Sequence, residues 1–486
     1  MKNSRAEIAK PNPKSTVNSY RSFGYNLSTA IADIVDNSIS ANANVISINY
    51  KWRGQDSFIS IKDNGNGMNR DELVLAMTPG SKDPDEERSE KDLGRFGMGL
   101  KTASFSQCKR LTCISKRKNY SVIKRCWDID FINEENEWQL LDYVADITFL
   151  NEIDQEESGT LVLWEKLDRI VGNAEISNES VKNAFYKEMS NVMQHLSLVF
   201  HKFIESKRIT ILFQNEQIAP YNPFLLNLQP KPEMGLPEKF DNVEITYFIL
   251  PHMSEIGKED YENSGGPLGW FQQQGFYIYR GDRLLVAGDW LGLEKKRDYS
   301  KLARIAVNFS NENDFNWNLD IKKSTATPPI EIRRELSRIA KIAIMKSAKI
   351  YNWRGQKTFS EISNIKNEPL WKDEVTREGI KKYKINKKHP VISSLLTNDS
   401  SKLLRKALKL LEDNVPVELI LSNQNEDPSF HELEKQTETP SDELINLAIE
   451  LYNIYISQGI PKSLAQQQIM NATPFNLFPL INEYLI

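Results

Sequence analysis

The chain has 486 residues, 40% of them hydrophobic and 26% charged, with a formal net charge of −4. That length exceeds a single compact core and implies about three units at roughly 150 residues each, while the composition excludes wholesale disorder and the charge excludes a uniformly basic coat for nucleic acid. The start lacks an apolar run of signal-peptide length, and nowhere do about 18 apolar residues follow one another, so the expectation is a cytoplasmic protein without a membrane span.

In YNLSTAIADIVDNSISA (25–41), Ile31, Ile34, Val35 and Ile39 recur at helical spacing, and Asp33, Asp36, Asn37 and Ser40 fall on the other side. One helix thus presents two carboxylates and an amide. Strand-like runs follow at VISINY (45–50) and SFISIK (57–62), where the alternation that turns Ile59 and Ile61 inward carries Asp63 inward with them. A carboxylate in a core needs a partner. The phrase IKDNGNGM (61–68) sets Gly65 and Gly67 just beyond it, and glycine lets a backbone approach a flat ligand closely. Asp63 can accept a hydrogen bond from an exocyclic amine such as adenine's, and Met68 can pack on the ring. Taken alone, the same letters also describe a turn.

About 25 mostly polar residues come next, including SKDPDEERSEKD (81–92), the composition of a surface lid from which Ser81 and Lys82 can reach phosphates. In LGRFGMGLKTAS (93–104), the run Gly94, Arg95, Phe96, Gly97, Met98, Gly99 leads into a helix predicted from about Leu100. Consecutive backbone N–H groups at a helix start form an anion cradle, to which Lys101 adds charge. Further strands are predicted at RLTCIS (110–115), YSVIKRCW (120–127) and GTLVLW (159–164), and a helical pattern at 180–205. Gly159-Thr160 opens the last of these strands, and the threonine hydroxyl is placed to bond the base or the water beside Asp63. Cys108, Cys113 and Cys126 form no CxxC pair and read as core fillers.

Helix DxxxN, then DxGxG, a lid, GxxGxG and GT, in that order over residues 20 to about 165, resemble the GHKL ATPases (gyrase, heat-shock chaperone, histidine kinase, MutL). The resemblance implies a Bergerat-type α/β sandwich binding ATP and Mg²⁺. It places adenine recognition on Asp63, the magnesium ligand on Asn37 and the phosphate loop on Gly94 to Gly99, with Asp33 as the base that activates water. In hydrolytic branches that base is usually glutamate. Aspartate is shorter by about 1.5 Å, one covalent bond, and a misplacement near 1 Å costs on the order of 10²-fold in rate. Slow turnover, or a closer helix, is the expectation.

A second α/β unit is predicted from ITILF (209–213) through VEITYFIL (243–250) and GFYIYRGDRLL (275–285) to WNLDIKKS (317–324), followed by a long helix at 330–353. In MutL, gyrase and MORC proteins an S5-like α/β transducer sends a lysine back to the γ-phosphate. Lys322 and Lys323 have the position for it, and strand alternation leaves open which one faces in. The expected divisions are 1–207 for the ATP domain, 208–329 for the transducer and 330–486 for a helical C-terminal region with a polar linker near 423–443. The phrases at 20–43 and 275–290 are similar to those of prokaryotic MORC-like ATPases associated with restriction and anti-phage systems. This implies an ATP-dependent homodimer acting on double-stranded DNA as a clamp or remodeller, with nuclease or other defence proteins as partners. Basic residues at 333–354 and in KKYKINKKH (381–389) fit phosphate contacts, although a charge run is commonly a solvated face. Two other readings stand beside it: a nucleotide-occupancy sensor with little hydrolysis, and a chaperone-like ATPase on protein clients. A histidine kinase would need a phosphoacceptor ahead of the ATP domain, whereas His431-Glu432 lies far downstream.

Overall fold

The computed structural model describes residues 11–22, 24–81, 99–252, 255–309, 317, 327–357, 370–375, 381–398, 403–413, 440–472 and 474–485. The chain divides into two compact units, Met1–Tyr351 and Asn352–Ile486.

The first unit begins with helices α1 (Pro13–Arg21) and α2 (Leu27–Ser40). Each starts on an asparagine whose side chain accepts a backbone N–H of the first turn, Asn12 from Ser15 and Asn26 from Thr29, satisfying donors that a helix start otherwise leaves open. Strands β1 (Val45–Lys51) and β2 (Phe58–Asp63) pair antiparallel, and helix α3 (Arg70–Met77) follows behind a capping box of Asn69 and Glu72. Next come α4 (Gly99–Phe105), β3 (Arg110–Lys116), β4 (Ile123–Asp128), α5 (Ile129–Glu135), α6 (Ile147–Asp154) and β5 (Gly159–Glu165). The long helix α7 (Glu179–Val199) and short α8 (His201–Glu205) lead to β6 (Thr210–Phe213) and β7 (Glu216–Gln217).

These strands form one seven-stranded sheet in the order β4-β3-β5-β2-β1-β6-β7. Alternation sorts its two faces. Ile46, Ile48, Ile59, Ile61 and Val162 join the main core with Ile31 and Val35 of α2 and Phe185 and Met189 of α7, while Ile114, Leu161 and Leu163 face Phe149 and Ile153 of α6. All three cysteines are buried, and desolvation pushes their thiols up, Cys113 to about 12 and Cys126 to about 11, so they pack as protonated core residues.

One expected boundary moves. The run ITILF does not open a second domain at 208: β6 lies parallel to β1, from Val45 opposite Thr210 to Ile48 opposite Phe213, and Ile209, Ile211, Phe213 and Ile218 belong to the first core. The division at 207/208 therefore falls inside the first sheet. The second sheet comprises β8 (Glu233–Met234), β9 (Glu238–Phe240), β10 (Val243–Ile249), β11 (Gly275–Arg280), β12 (Arg283–Asp289) and β13 (Ala303–Phe309), with β11 central between β12 and β13. Short helices α9 (Lys258–Ser264) and α10 (Gly269–Gln272) precede β11. The helix predicted at 330–353 is α11 (Ile330–Lys357), whose Ile332, Leu336, Ile339, Ala340 and Ala343 are buried in the second core, so its first half belongs there and not to a C-terminal region beginning at 330.

The second unit is mixed where helices alone were expected. It holds a hairpin of β14 (Trp371–Val375) and β15 (Lys381–Ile385) with helices α12 (Pro390–Asn398), α13 (Leu403–Asp413), α14 (Asp442–Ser457) and α15 (Lys462–Met470). Its core gathers Ala448, Leu451 and Tyr452 with Ile469, Phe475 and Ile481. No helix among the described residues is long and apolar enough to cross a membrane.

Candidate nucleotide-binding site

The inward turn of Asp63 is as the alternation required. Asp63 is 7% exposed at the end of β2; Gly65 N–H donates to its Oδ1 at 2.9 Å and the Ser38 hydroxyl to its Oδ2 at 2.8 Å. Burial raises its pKa, opposed by the hydrogen bonds from Gly65, Ser38 and the Thr160 backbone. Ser38 comes from α2, one residue past Asn37, so the helix that carries the polar face also holds the acid in place.

Thr160 pairs with Asp63 across β2 and β5, and its hydroxyl lies 2.9 Å from that of Ser115 on β3. Ser115 accepts the Met68 N–H at 2.9 Å and donates to the Gly159 carbonyl at 3.1 Å. With the serine proton spent on Gly159, Thr160 is the donor of the hydroxyl pair, and its lone pairs remain as acceptors. Met68 is thereby fixed at the rim of the core, partly buried.

The glycines have a reason beyond ligand approach. Gly67 has φ +63°, and a Cβ there would collide with the Lys116 carbonyl; one on Gly159 would strike the Asp63 carbonyl. A Cβ on Gly65 would stand 2.8 Å from the Ala41 carbonyl and 3.0 Å from Asp63 Oδ1. The turn after β2 is thus packed against α2 and β3 by backbone alone.

On α2, Asp33 is 4% exposed and accepts a hydrogen bond from the Tyr25 hydroxyl at 2.9 Å, whereas Asn37, one turn on, is exposed. Gly99 begins α4 facing Asp33: a Cβ on it would lie 3.8 Å from Asp33 Oδ2. Of the expected phosphate contacts, Ser81 and Leu100 are partly buried, and the buried Lys101 ammonium donates to the Ala76 carbonyl at 2.9 Å, tying α4 to the last turn of α3. Trp127 Nε1 does likewise to the Met77 carbonyl at 3.0 Å. The last turn of α3 is therefore held by both α4 and β4. Lys82, Gly94, Arg95, Phe96, Gly97, Met98, Lys322 and Lys323 lie outside the described residues, although Trp317 at the head of the lysines' phrase stacks on Phe309 at 4.5 Å.

Asp36, which helical spacing puts on the polar side of α2, is buried. It is 1% exposed and forms an ion pair with Arg283 of β12, Nε to Oδ1 at 2.8 Å. Tyr25, Ser38, Ser115 and Arg283 are the residues that sequence reasoning missed.

Residues 25–160 match the family of histidine kinase-, DNA gyrase B- and HSP90-like ATPases. The chain carries a GHKL ATPase domain. Similarity to named proteins falls on short stretches. The chain is 32% identical over 89 residues to "ATPase morc-1" of Caenorhabditis elegans, covering 18% of this chain and 10% of that protein. It is 38% identical over 95 residues to "DNA mismatch repair protein MutL" of Pseudoalteromonas translucida (strain TAC 125), covering 19% of this chain and 15% of that protein. The GHKL domain is mixed α/β, and the chain is MORC-like within it. The family match ends at Thr160, which pairs with Asp63 across β2 and β5.

The donor set fits a nucleotide with magnesium. Asp63 and Thr160 offer buried acceptors for an amine, and Asn37 and Asp33 offer hard oxygens one helical turn apart. Among the described residues no three His, Cys, Asp or Glu groups form a metal cage.

Proposed function

We propose that the GHKL domain binds ATP with Mg²⁺ and hydrolyses it slowly to ADP and phosphate. The observation that carries this reading is the placement on one helix, α2, of Ser38 against the buried Asp63 and of Asp33 against Gly99. Asp63 and Thr160 accept from the adenine amine or its water, and Met68 packs on the ring. Gly65 and Gly67 shape the turn beneath it. The loop from Gly94 to Gly99 and the start of α4 take the phosphates, with Ser81 and Lys82 reaching in from the lid and Lys322 or Lys323 from the second domain. Asn37 holds the magnesium, which neutralises phosphate charge when bound. Asp33 accepts the proton of the attacking water, and Tyr25 fixes the carboxylate for that task.

The Tyr25 bond also favours a second reading. The Tyr25 hydroxyl already occupies one oxygen of the carboxylate, and Asp33 is short for the role. A domain that senses nucleotide occupancy with little hydrolysis would follow. Single-turnover hydrolysis separates the two: the ATPase requires Asp33→Ala to be at least about 10²-fold slower than wild type, as for a lost general base, whereas equal rates remove Asp33 from catalysis.

At the level of the whole chain, the reading is an ATP-dependent homodimer that acts on double-stranded DNA as a clamp or remodeller in restriction or anti-phage defence. Resemblance to MORC-like ATPases supports it, as do the exposed Arg333, Arg334, Lys341 and Lys349 of α11. Two members of that basic run are otherwise engaged, Arg338 with Glu335 and Glu238 and Lys346 with Glu233, so the phosphate-binding set is smaller than the charge run suggests.

A further inference from the structure

The pair between Asp36 and Arg283 has no part in nucleotide contact, yet Asp36 stands on α2 between Asp33 and Asn37. Both partners are buried, at 1% and 5% exposure. On its own side Arg283 Nη1 donates to the Leu284 carbonyl at 2.5 Å, while across the junction the guanidinium lies 4.6 Å from the ring centroid of Phe200, between α7 and α8 in the first core. Its Nε edge then meets Asp36. The residue before it, Asp282, pairs with Arg208 and, at 3.8 Å, with Lys202, so the turn between β11 and β12 grips the first sheet's domain from two sides.

The surroundings make this pair matter. Beside it, the two sheets' domains part into a cleft of about 540 Å³, lined by Asn26 and Thr29 of the first turn of α2, by Gln194 and His195 of α7 and by Leu285 of β12. Packed interiors transmit displacement and open clefts do not. The first turn of α2 borders open space, whereas its third turn is pinned. Desolvation first, and the Arg283 charge second, lower the pKa of His195 to about 4 against the pull of Asp36, so at neutral pH the guanidinium is what neutralises Asp36.

We propose that the Asp36–Arg283 ion pair is a positioning pair, through which the second sheet sets the stance of α2 and hence where Asp33 and Asn37 lie for the reaction. The proposal rests on the ATPase reading of the same site. A shift of α2 moves Asp33 relative to Gly99, whereas Asp63, though it meets Ser38 of α2, keeps the hydrogen bonds from Gly65 and the Thr160 backbone that do not come from that helix, so rate falls further than affinity.

The test uses the full chain with Arg283→Gln, Arg283→Lys and the charge-free double variant Asp36→Asn/Arg283→Gln, which leaves no unpaired buried charge to unfold the protein. Single-turnover hydrolysis and affinity for a non-hydrolysable ATP analogue are read alongside hydrogen exchange of residues 27–40 without nucleotide. The expected result is a rate at least about 10-fold lower in Arg283→Gln, since small misplacements cost this much or more, with affinity within about 3-fold, partial recovery in Arg283→Lys, and faster exchange confined to α2. The double variant should share the slow rate while keeping wild-type exchange in β11 and β13. Unchanged rate and exchange would overturn the proposal, as would rate and affinity falling together with lost protection across the second sheet. If wild type binds the analogue but does not turn ATP over, the ATPase reading falls, and exchange decides the pair: faster in α2 alone supports it, unchanged refutes it.

Discussion

Asp63→Asn exchanges one carboxylate oxygen for an amide and should separate stability from binding. Asparagine keeps the Gly65 N–H on its oxygen, and its new N–H meets the Ser38 hydroxyl 2.8 Å away, which can turn its own proton to the Ile34 carbonyl at 3.3 Å. The Gly65 and Ser38 groups thus keep their partners. Because burial raises the carboxyl pKa, the folded state binds the proton more tightly than the unfolded chain, and stability falls as pH rises through the window between the two values. Above that window wild type carries the penalty in full. The variant should therefore melt no lower than wild type at pH 7, and the difference should shrink on acidification below that window. Binding moves the other way, because a hydrogen bond to a charged acceptor contributes about 1.5–3 kcal/mol, or about 10- to 150-fold in affinity. Titration calorimetry with a non-hydrolysable ATP analogue, beside thermal melts from about pH 3, below the unfolded aspartate value of about 3.9, up to about pH 8, reads both quantities. A folded variant with wild-type affinity would refute the assignment of Asp63 to the base.

Gly67→Ala forces an L-residue to φ +63° and a Cβ into the Lys116 carbonyl. About 1–2 kcal/mol for the backbone and about 1–3 kcal/mol for the overlap should disappear in denaturant unfolding, with a wild-type midpoint contradicting the packing argument. His195, with its pKa lowered to about 4, resists protonation when folded, so stability should fall as pH drops from about 6.5 toward 4, by up to about 3 kcal/mol. His195→Gln should flatten that part of the pH–stability profile, and an unchanged slope would place the acid sensitivity elsewhere. Arg333→Ala/Arg334→Ala should weaken duplex DNA binding and reduce its salt slope by about 1 for each phosphate no longer neutralised; absence of ATP-linked DNA binding by wild type at low salt would retire the clamp.

The parts of the site legible in sequence are those set by local periodicity. Alternation through Phe58–Asp63 dictates that Asp63 faces the core with Ile59 and Ile61, and the 3.6-residue period places Asp33 and Asn37 on one side of α2. What escaped depends on partners distant in the chain. Arg283, which pairs with Asp36, is 247 residues away, so helical spacing alone could not show that this carboxylate on the polar side of the helix is a buried interface group. The strand at 210–213 has the right pattern for either domain, and only its parallel pairing with β1 decides. Ser38 and Ser115 gave no signal because serine is common on any face; both matter by their hydroxyls' reach to Asp63 and Thr160. The glycines were found by pattern, but Gly67 and Gly159 are required first by the backbone they pass.

The proposed function requires adenine, phosphates and metal to meet between Asp63, Thr160, Asp33 and Gly99. A crystal structure of the full chain with a non-hydrolysable ATP analogue and Mg²⁺ tests this most directly. The predicted result is an adenine amine within hydrogen-bond distance of the Asp63 carboxylate, phosphates at the start of α4 and the ion on the Asn37 amide oxygen; a nucleotide bound elsewhere, or that space filled by side chains, would contradict it.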